Sequence, residues 1–244
     1  NLVLAARTIG LRNTGVYRST DAGQSWAEVG GFEANTDGSI VGCFVTANNA
    51  LYETGRGVRR SNDGGLTWTP LNNGLALSFL PGVVAPIGCL AVNGETLVAT
   101  AGAPYQAVFL STDGGVSWRE RPIGLPVGTN FIYGPVAVSE GNLLLWVVSQ
   151  FYRYRADTGG WVRVSPPNGV GYPFRDRNSF VARGKNLFMI GRENNPPQQV
   201  FRSMDGGTSW TGFMRGLPTN QIIGFSRVFD LVADGALLYA SATA

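Results

Sequence analysis

An eight-residue phrase recurs along this chain with fixed internal spacing, and it restricts the fold more than any other feature. It reads Ser19-x-Asp21-x-Gly23-x-x-Trp26 and Ser61-x-Asp63-x-Gly65-x-x-Trp68. It returns as Ser111-x-Asp113-x-Gly115-x-x-Trp118 and Ser203-x-Asp205-x-Gly207-x-x-Trp210. A decayed copy, Arg155-Ala156-Asp157-Thr158-Gly159-Gly160-Trp161, stands between the last two. Five copies in 244 residues make the chain an array, so it is read first as a repeat architecture.

Each position of the phrase has a physical job. The aspartate accepts hydrogen bonds from the N–H groups of the turn it starts, and is expected to behave as a buried acceptor. The serine adds a second short-range bond. The glycine supplies a positive φ that a side chain resists. The tryptophan is large enough to wedge under a neighbouring sheet. β-Rich residues precede each copy, for example Val108-Phe109-Leu110 and Val200-Phe201-Arg202, so the phrase turns one strand into the next.

Successive tryptophans are 42, 50, 43 and 49 residues apart, the length of a four-stranded propeller blade. An inner strand A is expected at residues 41–46, 88–92, 135–138, 179–182 and 228–232. Tight turns at Asn48-Asn49, Asn93-Gly94, Glu140-Gly141, Arg183-Gly184 and Asp234-Gly235 lead into strand B at 51–54, 97–101, 143–148, 187–191 and 237–241. Strand C runs into the phrase and strand D begins near its Trp. No segment has helical periodicity long enough for a helix. The expectation is one all-β domain over 1–244, a five-bladed β-propeller of four-stranded antiparallel blades. Leu2-Val3-Leu4-Ala5-Ala6 reads as a B strand, so the ring is expected to close with both termini in one blade, leaving one surplus B-like segment. An open ring would leave bare strand edges.

The phrase resembles the Asp-box, or bacterial neuraminidase repeat, and the resemblance spans essentially the whole chain. That family includes sialidases, xyloglucan-cleaving propellers, the sortilin ectodomain and photosystem II assembly propellers. Secreted bacterial propellers of no known activity look nearest, because their repeats often carry Gly-Leu-Pro after the Trp, as at Gly124-Leu125-Pro126 and Gly216-Leu217-Pro218. The resemblance implies a β-propeller and an extracytoplasmic location; it implies no particular activity.

The chain is 44% hydrophobic and 14% charged, with 34 Gly and 13 Pro, which suits short strands and tight turns. No apolar run is long enough to span a bilayer as a helix. The chain opens at Asn1, which is expected of a processed or trimmed product. A net charge of +3 without an RNA-binding signature or a basic run argues against a nucleic-acid partner. Cys43 and Cys89 occupy equivalent sites at the start of strand A in consecutive repeats. They suit either an inter-blade disulfide or two small core residues. The reach a disulfide requires favours the second.

There is no histidine, which removes Ser-His-Asp triads, Cys-His pairs and the usual zinc sets. No cofactor fingerprint is present. The boxes lack the further carboxylates of a calcium loop, so no metal site is expected. A glycosidase needs two carboxylates flanking the scissile bond. Outside the boxes the acids are Glu28, Glu33, Asp37, Glu53, Glu95, Glu120, Glu140, Asp176, Glu193, Asp230 and Asp234. The Arg-Ile-Pro segment that the resemblance would require of a sialidase is missing, and the two-propeller xyloglucanase arrangement exceeds this length. The chain is therefore read as non-catalytic.

In a four-stranded meander the A–B and C–D turns share one face and the B–C and D–A connections share the other. The second face carries the long, variable segments, where function concentrates. Its binding candidates are Arg7, Arg12, Arg56 and Phe79, then Tyr105, Phe131 and Tyr133, then Tyr172, Phe174, Arg175, Arg215 and Arg227. Arginine and aromatic rings suit a protein or a glycan partner. The expected function is an extracytoplasmic scaffold that binds a protein partner or joins a larger assembly through this face. Glycan binding is the alternative, and a sialidase-like or xyloglucanase-like hydrolase the third.

Overall fold

The computed structural model describes residues 2–7, 14–31, 43–77, 81–101, 105–126, 133–139, 142–147, 150–164, 180–191, 199–213, 228–234 and 237–242. The described residues form antiparallel sheets and no helix. They fall into two compact units, residues 1–101 with 109–120, and residues 102–108 with 121–244.

The first unit opens with β1 (Leu2–Arg7), β2 (Thr14–Ser19) and β3 (Ala27–Gly31), a three-stranded sheet in that order. A four-stranded meander follows: β4 (Phe44–Ala47), β5 (Ala50–Gly55), β6 (Gly57–Ser61) and β7 (Thr69–Pro70). The next is β8 (Cys89–Asn93), β9 (Thr96–Ala101), β10 (Ala107–Ser111) and β11 (Arg119–Glu120). Ala107 and Val108 of β10 group with the second unit.

The second unit holds β12 (Tyr133–Ser139), β13 (Asn142–Val147), β14 (Gln150–Arg155) and β15 (Gly160–Val164). It continues with β16 (Phe180–Arg183), β17 (Asn186–Gly191), β18 (Gln199–Ser203) and β19 (Thr211–Gly212). Both groups are four-stranded meanders. A two-stranded sheet of β20 (Val228–Asp234) and β21 (Leu237–Ala242) comes last. The expected strands A and B thus appear in all four complete sheets, within a residue or two of their predicted bounds except at β4, which starts three residues later than expected. Neighbouring sheets meet through their A strands, β4 on β8, β12 on β16 and β16 on β20.

Local chemistry explains the meanders. Asn48 and Asn49 hold φ of 53° and 58°, the left-handed pair a two-residue hairpin needs, and asparagine tolerates it. The B strands β9 and β13 are buried along nearly their whole length, apolar on both faces. In the second unit Trp146, Phe151, Phe180, Met189 and Phe201 fill the space between β12–β15 and β16–β19, and the ring of Trp210 stacks on Phe151 at 5.4 Å. Phe188, Ile190, Val200 and Leu231 make the core between β16–β19 and β20–β21. Cys43 and Cys89 are thiols, not a disulfide.

Candidate functional site

The boxes link each C strand to its D strand through one repeated network. In the four complete copies the serine hydroxyl donates to the aspartate at 2.7–2.8 Å and accepts the glycine N–H at 2.8–2.9 Å. The box glycines hold φ of 85–91°. The aspartate accepts the N–H of the residue four positions on at 2.8–2.9 Å, and that residue's hydroxyl on its second oxygen. These partners are Ser25, Thr67, Ser117 and Ser209, an unanticipated box position that the sequence displays plainly, since a hydroxyl precedes the Trp in every complete copy.

One expectation needs correction. The buried polar group of the box is the serine, about 1% exposed in all four copies, while the aspartates sit at the surface. The serine lies under the turn because its hydroxyl must reach the glycine N–H beneath it; the aspartate only rims the loop. Side-chain bonds from Ser25, Thr67 and Ser117 hold Asp21, Asp63 and Asp113 well below the usual carboxylate range. At Asp205 desolvation pulls upward and is outweighed by the bonds from Ser209, leaving a value of about 2. In the decayed copy Arg155 replaces the serine and grips Asp157 through two nitrogens at 3.0 and 2.6 Å.

Two tryptophans are clasped by the sheet before them. The indole N–H of Trp118 donates to the Leu71 carbonyl at 2.8 Å, and its backbone N–H to Asn73 at 2.8 Å. Trp161 repeats this with the carbonyls of Arg121 and Ile123, both at 2.8 Å. Gly74 and Gly124, with φ of 90° and 85°, lie so close that an added Cβ would stand 2.1 and 2.0 Å from the carbonyl oxygens of Trp118 and Trp161. Gly74-Leu75 after Trp68 and Gly124-Leu125 after Trp118 are therefore the seats for Trp118 and Trp161; both leucines are buried. Trp68 and Trp210 instead donate to Gly65 and Gly207 of their own boxes.

Of the long-loop candidates, Arg56 is exposed at the tip of the β5–β6 hairpin and Tyr105 is half-buried before β10. Arg7 ends β1 and Tyr133 begins β12. Arg12, Phe79, Phe131, Tyr172, Phe174, Arg175, Arg215 and Arg227 lie outside the described residues. The connection from β7 to β8 is folded onto its own hairpin: Gly57 N–H donates to Ala85 at 3.0 Å and Ile87 N–H to Gly55 at 2.7 Å. Leu75, Leu77, Ala85 and Ile87 are buried, so this loop works as a plug with Arg56 at its rim. Phe213, which follows β19, is 45% exposed, and the Arg202 guanidinium lies 5.1 Å from its ring centre.

Sequence reading underrated one acid. Glu53 in β5 has a side chain with no exposure and pairs with Arg59 of β6 at 2.8 Å. Its second oxygen has no hydrogen-bond partner. Burial pushes its carboxyl up to about 7, overriding the pull of Arg59. Among the described residues no group of three or more metal-ligating side chains assembles.

Against this geometry the comparisons are consistent. Over 244 residues the chain is 26% identical to xyloglucanase Xgh74A of Acetivibrio thermocellus, an alignment covering 80% of this chain but 28% of that enzyme. The structure of YCF48 bound to D1 peptide superposes with a TM-score of 0.52 at 16% identity, covering 90% of this chain and 65% of that one. The extracellular domain of the hybrid two-component system BT4673 of B. thetaiotaomicron gives 0.58 at 15% identity, with 94% and 29% covered. The profile of the DUF6242 β-propeller domain matches residues 8–239, which with the four-stranded sheets shows that the chain belongs to this β-propeller family.

Proposed function

We propose that the chain is a non-catalytic Asp-box propeller, one extracytoplasmic domain over 1–244 that binds a protein partner, or docks in a larger assembly, through its long-loop face. The observation that carries the reading is the division of labour between the two faces. The boxes spend their polar groups on their own turns, whereas Arg56 stands at the exposed tip of the β5–β6 hairpin beside the inward-packed β7–β8 connection. The described acids also support it. The box aspartates are engaged by turn donors, Glu53 is closed from solvent, and Glu28, Glu95 and Glu120 belong to β3, the β8–β9 turn and β11, away from that face. Asp230 and Asp234 belong to β20, and Glu33, Asp37, Glu140, Asp176 and Glu193 lie outside the described residues. The peptide-bound propeller and the extracellular two-component-system domain named above support a peptide-like ligand and the location.

A five-blade ring closed by both termini is part of this proposal, and the register of β1 to β3 supports it. Leu2 stands opposite Ser19 as Leu51 stands opposite Ser61 and Leu187 opposite Ser203, so β1 to β3 take the B, C and D places. In this proposal β20, which pairs with β21 in a two-stranded sheet of its own, takes the A place and β21 is the surplus strand.

The xyloglucanase relative favours glycan binding as the second reading. Titrating purified protein with xyloglucan oligosaccharides and with a peptide library, while assaying reducing ends, separates the readings. Arg56→Ala and Tyr105→Ala are expected to weaken binding without changing stability. Release of reducing ends would overturn the non-catalytic reading. Binding that survives both changes and is lost with the boxes would overturn the choice of face.

A further inference from the structure

Glu53 occupies a site where the other repeats are apolar. Counting back from the box serine along the paired strands, Glu53 opposite Arg59 corresponds to Leu4 opposite Tyr17 and Met189 opposite Phe201. A carboxyl has thus replaced a core residue, and a guanidinium an aromatic one. Along β5 and β6 side chains alternate between faces. Glu53, Arg59, Phe44 and Trp68 share one face: Phe44 stands opposite Glu53 in β4, the Phe44 and Trp68 rings meet edge-on at 6.2 Å, and Arg59 lies 5.9 Å from the Trp68 ring. Tyr52 and Arg60 stack at 5.7 Å on the other.

A buried ion pair with an unsatisfied oxygen is poor packing. Desolvation of the two charges rivals their attraction, and an apolar pair of the same volume is commonly no less stable. Three residues from Glu53 is Arg56. Gly55 and Gly57 flank Arg56 at the hairpin tip, and their backbone groups pin the β7–β8 plug. Any charge that loosens the Glu53 end of this hairpin therefore acts on the seat of the long-loop face.

We propose that Glu53 is a pH-sensitive latch on the β5–β6 hairpin: protonated, it holds the hairpin and the plug closed, and ionised, it loosens them. Among the described residues of the β4–β7 sheet the charged groups facing Glu53 are few. Arg59 alone faces Glu53 from β6. Phe44 from β4 and Trp68 at the entrance to β7 bring no charge. Arg60 points to the opposite face, and Arg56 stands at the exposed tip. The direction follows from linkage. A carboxyl held neutral by the fold and free to ionise when the hairpin opens favours the open form as pH rises. The latch concerns the geometry of the face and stands whether or not that face binds a partner.

The test is amide exchange at Gly57 and Ile87 between pH 4.5 and 7.5, normalised for intrinsic exchange. In the unmodified chain protection is expected to fall on the order of a hundredfold across this range, because the open hairpin lets the Glu53 carboxyl ionise where the closed one resists it. Glu53→Gln is expected to abolish the fall. Arg59→Met is expected to extend it to higher pH with its onset unchanged, because only the closed-state carboxyl loses its counter-charge. Glu53→Leu, the residue type of the corresponding Leu4, gives a second apolar control if the glutamine variant folds poorly, and its protection is expected to be flat as well. A fall that persists in the glutamine or leucine variant, or protection flat with pH in the unmodified chain, would overturn the latch.

Discussion

Ser111 and Asp113 look alike in sequence, two short polar residues two apart, yet they carry different energies. Ser111 is buried, accepts the Gly115 N–H and donates to Asp113. Removing its hydroxyl strands a buried N–H, which costs about 1–3 kcal/mol. Ser111→Ala is accordingly expected to lower stability by that amount in denaturant titration, and a change below about 0.5 kcal/mol would remove the serine from the centre of the box. Asp113 is solvated, so its contribution is screened and its loss shows mainly in the order of the turn. The same contrast governs Glu53, a buried acid worth more to the chain neutral than charged.

At the scale of the element, the clasp decides how one sheet engages the next. Gly74→Ala would force a Cβ into the carbonyl of Trp118 and a side chain onto a φ of 90°. The backbone on both sides is tied by hydrogen bonds, so it has little room to yield. A loss of at least about 2 kcal/mol is expected from strain of this kind. Gly82→Ala shares a positive φ, 78°, but nothing stands within 4 Å of its Cβ position. It is the control, with a loss nearer about 1 kcal/mol. Equal losses at the two positions would show that φ alone matters and that the clasp does not.

At the scale of the whole molecule two pH limbs oppose each other. The box aspartates have folded-state values below those of the open chain, so the stability they contribute is present above about pH 4 and is lost as pH falls toward about 2. Glu53 has a folded value raised to about 7, so the fold is penalised progressively from about pH 4.5 up to that value. Thermal unfolding is therefore expected to peak on the acid side, near about pH 4–5, with the neutral limb flattened in Glu53→Gln. A maximum at or above neutral pH in the unmodified chain would contradict this. Deleting Leu237–Ala244 tests the ring. A large drop in melting temperature marks the segment as part of closure, a stable monomer that no longer associates marks a docking strand, and no effect would remove it from both roles.

What the sequence by itself determined is the local grammar. Turn residues, alternating apolar strands and the spaced boxes act over a few residues, so their physics is readable in order: the A and B strands, the Asn48-Asn49 hairpin and the positive-φ box glycines lie where the residue types require them. Other features depend on what the fold brings alongside. Whether Ser or Asp is the buried member of a box follows from which side of the loop meets the neighbouring sheet. Gly74 and Gly124 gain their meaning from tryptophans more than thirty residues downstream. The candidate face was legible only as a set of loops. That the β7–β8 connection is a plug, with Arg56 on its rim, is decided by bonds between backbone groups roughly thirty residues apart, such as Gly57 and Ala85. Glu53 is the sharpest case. One acid among eleven outside the boxes, it is made distinctive only by the sheets that cover it, because desolvation is a property of the surroundings and not of the residue.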